Sequence, residues 1–179
     1  RRCAFVEWAC LVRCNRRKIM GQEKSNDSNA FVDFELTGWG TNITGNDDVF
    51  ESVSGQTVDA TLDTAHVRSG MRGLDVCTGP GMLAAGSMHR GAKTVGLNFS
   101  GMVVELARKG VPAGEFQQGD ANDFPFPEDS FDAVVCGYGV MHFLEPKIAL
   151  REMRRVVRPS GRIAINVWDS TTPNNTFGM

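Results

Sequence analysis

The 179-residue sequence predicts an α/β fold with a doubly wound, mostly parallel sheet. Between residues 74 and 168, short apolar segments typical of buried strands alternate with segments of helical periodicity. A glycine-rich turn also connects the first of these strands to the helix that follows it. Because strands that alternate with helices are joined by right-handed crossovers, we expect them to lie parallel in one open sheet.

The elements are predicted from their apolar spacing and from the glycines and prolines that bound them. The first helix begins near Ser54, and Val58, Leu62 and Ala65 form its apolar side. Further helices are expected at residues 82–88, at residues 103–109 and from Pro146 to a break at residues 159–161. Strands are expected at residues 74–77, 94–97, 115–118, 131–136 and 162–168.

Composition and charge restrict the kinds of protein that the chain can be. Hydrophobic residues make up 41% and charged residues 22%, which suits a packed globular core. The formal net charge of −2 argues against nucleic acid as an electrostatic partner, and no apolar run is long enough to span a membrane. The five cysteines and three histidines lack the spacing of metal ligands, so no metal site is predicted. The cysteine pattern favours a reduced, cytoplasmic location.

The first thirty residues differ in composition from the rest of the chain. Six arginines and lysines accompany a single acid, Glu7, within residues 1–20, and residues 21–30 are polar. We therefore expect residues 1–30 to be disordered and residues 31–179 to form the folded domain. We interpret residues 1–20 as sequence upstream of a start at Met20. The alternative is an arginine-rich transit peptide, which would direct the protein to mitochondria.

The glycine-rich turn at residues 74–82 lies where open α/β sheets bind their ligands. Residues 79–84 fit the G-x-G-x-x-A pattern of dinucleotide sites, but such a site also needs an acid about twenty residues further on, where Asn98 stands. S-adenosylmethionine instead carries a sulfonium and an α-amino group, which favour a carboxylate near the glycines. Asp75 supplies one, although from this turn alone it could equally be a polar residue that caps a strand end.

Three segments together carry a resemblance to a known family. They are residues 74–81, 119–126 and 130–143, which read LDVCTGPG, GDANDFPF and SFDAVVCGYGVMHF. In order and spacing they resemble the class I, seven-strand methyltransferases, and most of all the branch that includes the ubiquinone and menaquinone C-methyltransferases. The resemblance implies a Rossmann-like fold, S-adenosylmethionine as the cofactor and methyl transfer to a small-molecule acceptor.

The resemblance also implies which residues bind the cofactor. The residues of the first segment would cradle the methionine portion, and Gly137 would contact the same end from beyond the fourth strand. Asn98 would hold the ribose, and Phe99 would pack against the adenine. Asp120 and Ala121 would read the adenine edge by side chain and backbone N–H. The complete set is Asp75, Cys77, Gly79, Gly81, Asn98, Phe99, Asp120, Ala121 and Gly137.

The sequence departs from the family pattern within this set and at its end. Cys77 replaces the first glycine, where a small side chain is expected to be tolerated, and Asn98 replaces the ribose-binding acid. An amide accepts with one end only, so we expect cofactor binding to be weaker by about 1–2 kcal/mol. The family has two more strands after the fifth, so we expect a truncated fold whose exposed fifth strand self-associates. A non-catalytic methyltransferase-like domain is one alternative, and an NAD(P)-dependent oxidoreductase is another.

Methyl transfer is an in-line displacement in which the cofactor carries the reactive group, while the protein aligns the reactants and excludes water. A general base is needed only when the acceptor must lose a proton. Tyr138 and His142 follow the fourth strand, but we interpret Tyr138 as a packed wall and His142 as the cap of the next helix. No catalytic residue is predicted.

Overall fold

The computed structural model describes residue 52 and residues 54–168, and the predictions for the remaining residues lie outside this range. The helices are α1 (Val58–Thr64), α2 (Met82–His89), α3 (Gly101–Gly110) and α4 (Pro146–Val156), with a 3-10 turn at Val140–His142. The strands are β1 (Arg72–Val76), β2 (Lys93–Asn98), β3 (Glu115–Gln118), β4 (Phe131–Gly137) and β5 (Val157–Asn166).

The described strands form one sheet in the order β3-β2-β1-β4-β5, and every neighbouring pair is parallel. β1 lies at the centre, where Leu74 pairs with Val95 of β2 on one side and with Val134 of β4 on the other. The predicted α/β class with a mostly parallel sheet is therefore confirmed. Because the chain extends outwards to β3 and then returns to the other side of β1, the strand order reverses between β1 and β4.

Helices cover both faces of the sheet, as a doubly wound fold requires. On one face, Leu74 and Val134 belong to the same buried cluster as Met153 of α4. On the other face, Ala133 and Val135 lie in a second buried cluster, which also contains Leu62, Ala65 and Leu83 from the α1 and α2 side. Successive residues of β4 thus point to opposite faces, and the predicted apolar side of the first helix is confirmed.

The clearest difference from the predicted elements concerns the fifth strand. The sequence placed it at residues 162–168, but β5 begins at Val157 and ends at Asn166. Val157 already pairs with Phe131 of β4, ahead of the Pro-Ser-Gly segment from which a break was predicted. The ladder then shifts register between Phe131 and Ala133, so this segment forms an irregularity inside β5 rather than its boundary.

The described residues contain no helix that is long and apolar enough to cross a membrane. Within the same residues, no group of three or more histidine, cysteine, aspartate or glutamate side chains is placed to hold a metal ion. For the chain as a whole, the absence of a metal site stays a prediction.

Candidate functional site

The predicted cofactor residues all lie at or just after the carboxyl ends of four neighbouring strands. β1 and the turn that follows it supply Asp75, Cys77, Gly79 and Gly81, and the ends of β2, β3 and β4 supply Asn98, Phe99, Asp120, Ala121 and Gly137. Carboxyl ends of parallel strands meet at one edge of a sheet, and open α/β sheets bind ligands where the strand order reverses. The fold therefore brings the whole set to one edge, around the β1–β4 reversal.

The turn between β1 and α2 is built from left-handed backbone. Gly79 has a φ of +54°, and Gly81, which precedes α2, has a φ of +95°. A side chain at Gly81 would approach the Phe116 ring to 3.0 Å, whereas one at Gly79 would meet nothing within 4 Å. The backbone N–H of Thr78 donates to the carbonyl of Leu97 at 3.0 Å and ties the turn to β2. The turn is thus tied to β2, and within the described residues the space around Gly79 is free for a ligand.

Cys77 is a third left-handed residue in this turn, with a φ of +56°. A residue with a Cβ pays about 1–2 kcal/mol in this conformation, which glycine avoids. A Cβ added at Gly139 would lie 2.5 Å from the Cβ of Cys77, so only glycine fits beside it. The structure therefore accommodates Cys77, as expected, but its backbone is strained. The neighbouring segment must also carry glycine at position 139.

Asp75 lies beneath the turn and is 1% exposed. Its Oδ2 accepts hydrogen bonds from the hydroxyl of Thr78 at 2.7 Å and from the backbone N–H of Ala84 at 3.1 Å. These bonds fasten the end of β1 to the turn and to the first turn of α2. Burial raises the pKa of the Asp75 carboxyl to about 7, although both hydrogen bonds oppose the shift.

Two buried oxygen atoms at this edge have no hydrogen-bond partner among residues 54–168. They are Oδ1 of Asp75 and Oδ1 of Asn122, which lies in the loop after β3. A buried acceptor without a partner destabilises the folded protein by about 1–3 kcal/mol. A ligand that donates a hydrogen bond to this acceptor would remove that penalty. S-adenosylmethionine fits this requirement, because its α-ammonium and its adenine amino group are both donors.

The ends of β2 and β3 are held together by backbone and side-chain hydrogen bonds. The Nε2 of Gln118 donates to the carbonyl of Phe99 at 2.9 Å, and the N–H of Gly119 donates to the carbonyl of Asn98 at 3.0 Å. The side-chain Oδ1 of Asn98 accepts from the N–H of Ser100 at 3.1 Å. The oxygen that was expected to hold a ribose hydroxyl is therefore already shared with the backbone.

The loop after β3 is a tight turn around Asp120. Its Oδ1 accepts a hydrogen bond from the N–H of Asn122 at 2.8 Å. Ala121 is 9% exposed, and its methyl group belongs to the core cluster beneath the sheet edge. The loop thus fixes the backbone of Ala121, the part of this residue that the family resemblance assigns to the adenine edge.

The end of β4 forms the other side of the candidate site. A side chain at Gly137 would approach Cδ1 of Leu83 to 2.9 Å, so glycine allows α2 to pack against this strand end. The next residue, Tyr138, is left-handed with a φ of +56°, and its ring stacks on Trp168 at a centroid distance of 4.1 Å. The Tyr138 hydroxyl lies 3.3 Å from Oγ1 of Thr57. Tyr138 is thus packed as a wall, as predicted.

The interpretation of His142 as a helix cap is wrong. His142 ends the 3-10 turn, and the residue after it, Phe143, returns to extended backbone. The residue that caps α4 is Glu145, and Pro146 begins the helix. Because proline presets the helical φ, α4 starts at the proline rather than at the histidine.

Three polar residues support the site without having been predicted: Thr78, Ser100 and Gln118. The spacing of Thr78, three residues after Asp75, is a signal of a local side-chain bond that could have been noticed. Gln118 offers no comparable signal, because its partner Phe99 is nineteen residues away in sequence.

Two shallow, open cavities on the described part of the chain do not coincide with this edge. A cavity of about 460 Å³ between α1 and α2 touches none of the predicted cofactor residues, and one of about 260 Å³ beside α3 touches only Gly81. Concavity alone would therefore have pointed away from the site. The acceptors without a partner among the described residues and the left-handed turn are the features that favour this edge.

The family model described as "Methyltransferase domain" matches residues 74–165, just over half of the chain. The chain therefore belongs to this methyltransferase domain family. The class predicted from the three sequence segments is confirmed, and membership of the family indicates S-adenosylmethionine as the cofactor.

The chain is also similar to individual proteins. The chain is 40% identical over 100 residues to the demethylmenaquinone methyltransferase of Clavibacter sepedonicus, a match that covers 54% of this chain and 41% of that protein. The crystal structure of YcgJ from Bacillus subtilis matches with a TM-score of 0.59 at 31% identity, covering 62% of this chain and 49% of that chain. The crystal structure of the [4+2]-cyclase SpnF matches with a TM-score of 0.59 at 25% identity, covering 62% and 43%. The chain spans less than half the length of these curated relatives and structures.

Proposed function

We propose that this domain binds S-adenosylmethionine along the carboxyl edge of β1 to β4 and transfers its methyl group to a small-molecule acceptor. The observation that carries the proposal is the buried Oδ1 of Asp75, which has no hydrogen-bond partner among the described residues and lies beneath a turn where no described atom is within 4 Å of a Cβ at Gly79. Family membership supports methyl transfer as the chemistry. The relative named demethylmenaquinone methyltransferase supports an acceptor with a quinone-type ring.

We infer the role of each cofactor-binding residue from the side-chain donors and acceptors that the described protein residues leave available. Burial favours the neutral form of Asp75, and an ammonium group close to its Oδ1 would favour the charged form and be held by it. At the other end of the edge, Oδ1 of Asn122 is left to accept from the adenine amino group. Asn98 offers the ribose its amide nitrogen as a donor, while its oxygen uses one of its two lone pairs to accept from the N–H of Ser100.

The bound cofactor supplies an electrophilic methyl group on a sulfonium, so the chain needs to bind, orient and exclude water rather than to activate the methyl group. Gly137 and the Tyr138–Trp168 stack border the methionine end from the β4 side. Asn166 reinforces this wall, because its Nδ2 donates to Thr57 at 3.1 Å, the same residue that the Tyr138 hydroxyl contacts. We propose that the wall faces the acceptor, and we assign no general base.

Calorimetry with the 179-residue chain tests the binding step. S-adenosylhomocysteine should bind and NADH should not. Asp75→Ala should lose at least about tenfold in affinity, because a charge-assisted hydrogen bond contributes about 1.5–3 kcal/mol. Asp63→Ala is the matched control, since Asp63 lies on the surface and contacts Arg90. Binding of NADH alone would reject the proposal.

Turnover requires a second experiment, with methyl-labelled S-adenosylmethionine and 1,4-naphthohydroquinone as the acceptor probe. We expect the label to appear in the naphthol fraction. If labelled cofactor binds and no label is transferred to this or other phenolic and amine probes, the transfer step is rejected while the binding step stands.

A non-catalytic methyltransferase-like domain is the second candidate. It is favoured by the engaged oxygen of Asn98 and by the strained Cys77, both of which are departures from the family pattern. The structural match to SpnF, which is described as a cyclase, adds a relative with a different named reaction. Tight cofactor binding without transfer to any probe distinguishes this candidate from the first.

We further propose a cytoplasmic location and self-association through β5. The outer edge of β5 has no strand beside it among the described residues, and Val167 just beyond it is 60% exposed. The mitochondrial alternative depends on residues 1–20, which lie outside the described range. The predicted absence of a nucleic-acid partner stays a prediction.

A further inference from the structure

Two cysteines lie at the ends of the two central strands. Cys136 is fully buried near the end of β4, and Cys77 follows β1 and is partly buried. β1 and β4 are parallel neighbours in which Asp75 pairs with Val135. If this register continued by two residues, Cys77 would lie opposite Gly137, one residue from Cys136. Neighbouring strands are about 4.8 Å apart, so the two cysteines lie diagonally across one strand spacing rather than directly opposite each other.

The space around the two thiols is kept clear by Gly139. A Cβ added at Gly139 would lie 2.8 Å from Sγ of Cys136 and 3.1 Å from Sγ of Cys77. Both sulfur atoms thus lie next to the point that a Cβ of residue 139 would occupy, and they are within about 6 Å of each other. No side chain at position 139 holds them apart.

The orientation of Cys77 depends on its left-handed backbone. With a φ of +56°, its side chain packs against the same core cluster that contains Cys136. Glycine at this position, as in the family pattern, would satisfy the turn without strain and without a thiol. The replacement therefore adds a reactive group at the head of the turn that the proposed function assigns to the cofactor.

We propose that Cys77 and Cys136 form a reversible disulfide when the protein meets a peroxide, and that this disulfide weakens cofactor binding. The Cys77 thiolate attacks one peroxide oxygen, which breaks the O–O bond and gives a sulfenic acid and one water. The Cys136 thiol then attacks the Cys77 sulfur and releases a second water. Two electrons pass from the two thiols to the peroxide, and a dithiol reductant reverses the reaction.

The disulfide would alter the cofactor site because it draws the sulfur atoms to about 2.05 Å. Cys77 must move towards β4 for this to occur, and its backbone leads directly into the Thr78–Gly81 segment of the turn. This step rests on the proposed function. By reciprocity, bound cofactor should shift the equilibrium between dithiol and disulfide towards the dithiol by the same factor by which the disulfide weakens binding.

Peptide mapping of the full chain tests the disulfide itself. The protein is treated with hydrogen peroxide, alkylated with N-ethylmaleimide and digested with trypsin without reduction. Trypsin places Cys77 in residues 73–90 and Cys136 in residues 110–147, each with no other cysteine. We expect these two peptides to be joined, and dithiothreitol to separate them. Alkylation of both peptides, or pairing of either with Cys3, Cys10 or Cys14, would overturn the proposal.

Calorimetry with S-adenosylhomocysteine tests the consequence for binding. Peroxide should weaken binding to the wild-type chain by roughly tenfold, a coupling of ordinary size between sites, and dithiothreitol should restore it. Cys136→Ser should bind equally with or without peroxide. Equal weakening of both proteins would overturn the proposal. If the reduced wild type binds no S-adenosylhomocysteine, the proposed function fails, whereas the peptide map still decides whether the disulfide forms.

Discussion

The buried carboxylate of Asp75 accepts a hydrogen bond at 3.1 Å from the backbone N–H of Ala84, nine residues further along the chain. This single contact joins the end of β1 to the first turn of α2 across the entire glycine turn. It also explains how an acid can be retained in a buried position, since part of its desolvation is offset by bonds made within the protein.

Stability should respond to pH through Asp75. Its pKa is raised from an ordinary value of 3.8 to about 7. The folded chain therefore holds this proton more tightly than the unfolded chain, and the free energy of unfolding falls as pH rises from about 4 to about 7. Asp75→Asn keeps acceptors for Thr78 and Ala84 but cannot ionise, so its melting temperature relative to wild type should rise by several degrees across this window. A difference in melting temperature between Asp75→Asn and wild type that stays constant from pH 4.5 to pH 8 would contradict this prediction.

Asn98→Asp should tighten the binding of S-adenosylhomocysteine by about 1–2 kcal/mol. A carboxylate can keep the bond to the N–H of Ser100 with one oxygen and accept from the ribose diol with the other. Isothermal titration measures the change, and the melting temperature of the variant checks that the fold is intact. Unchanged or weaker binding would mean that residue 98 does not face the ribose.

Cys77→Gly should stabilise the protein. Relief of the left-handed backbone returns about 1–2 kcal/mol, whereas the extra chain entropy of glycine costs about 0.5–1 kcal/mol. A net gain of about 0.5–1 kcal/mol should appear in urea unfolding. Cys77→Ser is the matched control, because it keeps the Cβ and therefore the strain. A glycine variant no more stable than the serine variant would show that φ at this position is not strained.

Gly139→Ala should destabilise the protein by about 1–3 kcal/mol, the usual loss on overpacking a core. Gly139 has a φ of −93°, so alanine suits its backbone and the loss must come from the contacts with Cys77 and Cys136. Removing the Cys77 side chain should recover part of the loss. A double-mutant cycle of Gly139→Ala with Cys77→Gly measures this coupling, and strictly additive effects would contradict the packing described.

The 179-residue chain should self-associate through β5, because Val157–Asn166 has no strand on its outer side within the described part of the chain. Light scattering at rising concentration measures the association. Val167→Lys places a charge beside the edge and should shift the equilibrium towards monomer, and Met102→Lys, on the exposed face of α3, is the control. A monodisperse monomer at high concentration would contradict the prediction.

Much of the fold and of the site was predictable because both depend on local patterns. Apolar runs and glycines predicted β1 to β4. The family motifs predicted nine site residues, and the fold places all nine at one edge of the sheet. The fifth strand was misplaced because Val157 pairs with Phe131, a contact that no local pattern records. Likewise, the unpaired Oδ1 of Asp75 and the engagement of Asn98 by Ser100 depend on side-chain orientation in the folded chain.

The central position of β1 has a consequence for synthesis on the ribosome. β1, β2 and β3 emerge in the order in which they add to the sheet on one side, so Asp75 and Asn98 can be assembled before β4 is translated. Until then, β1 lacks its β4 partner, and Leu74 and Val76, which are fully buried in the folded chain, lack the cover that β4 and the elements after it supply. The nascent chain is therefore most exposed to wrong pairing between the translation of β3 and of β4, and a chaperone that binds extended apolar segments would act in that interval.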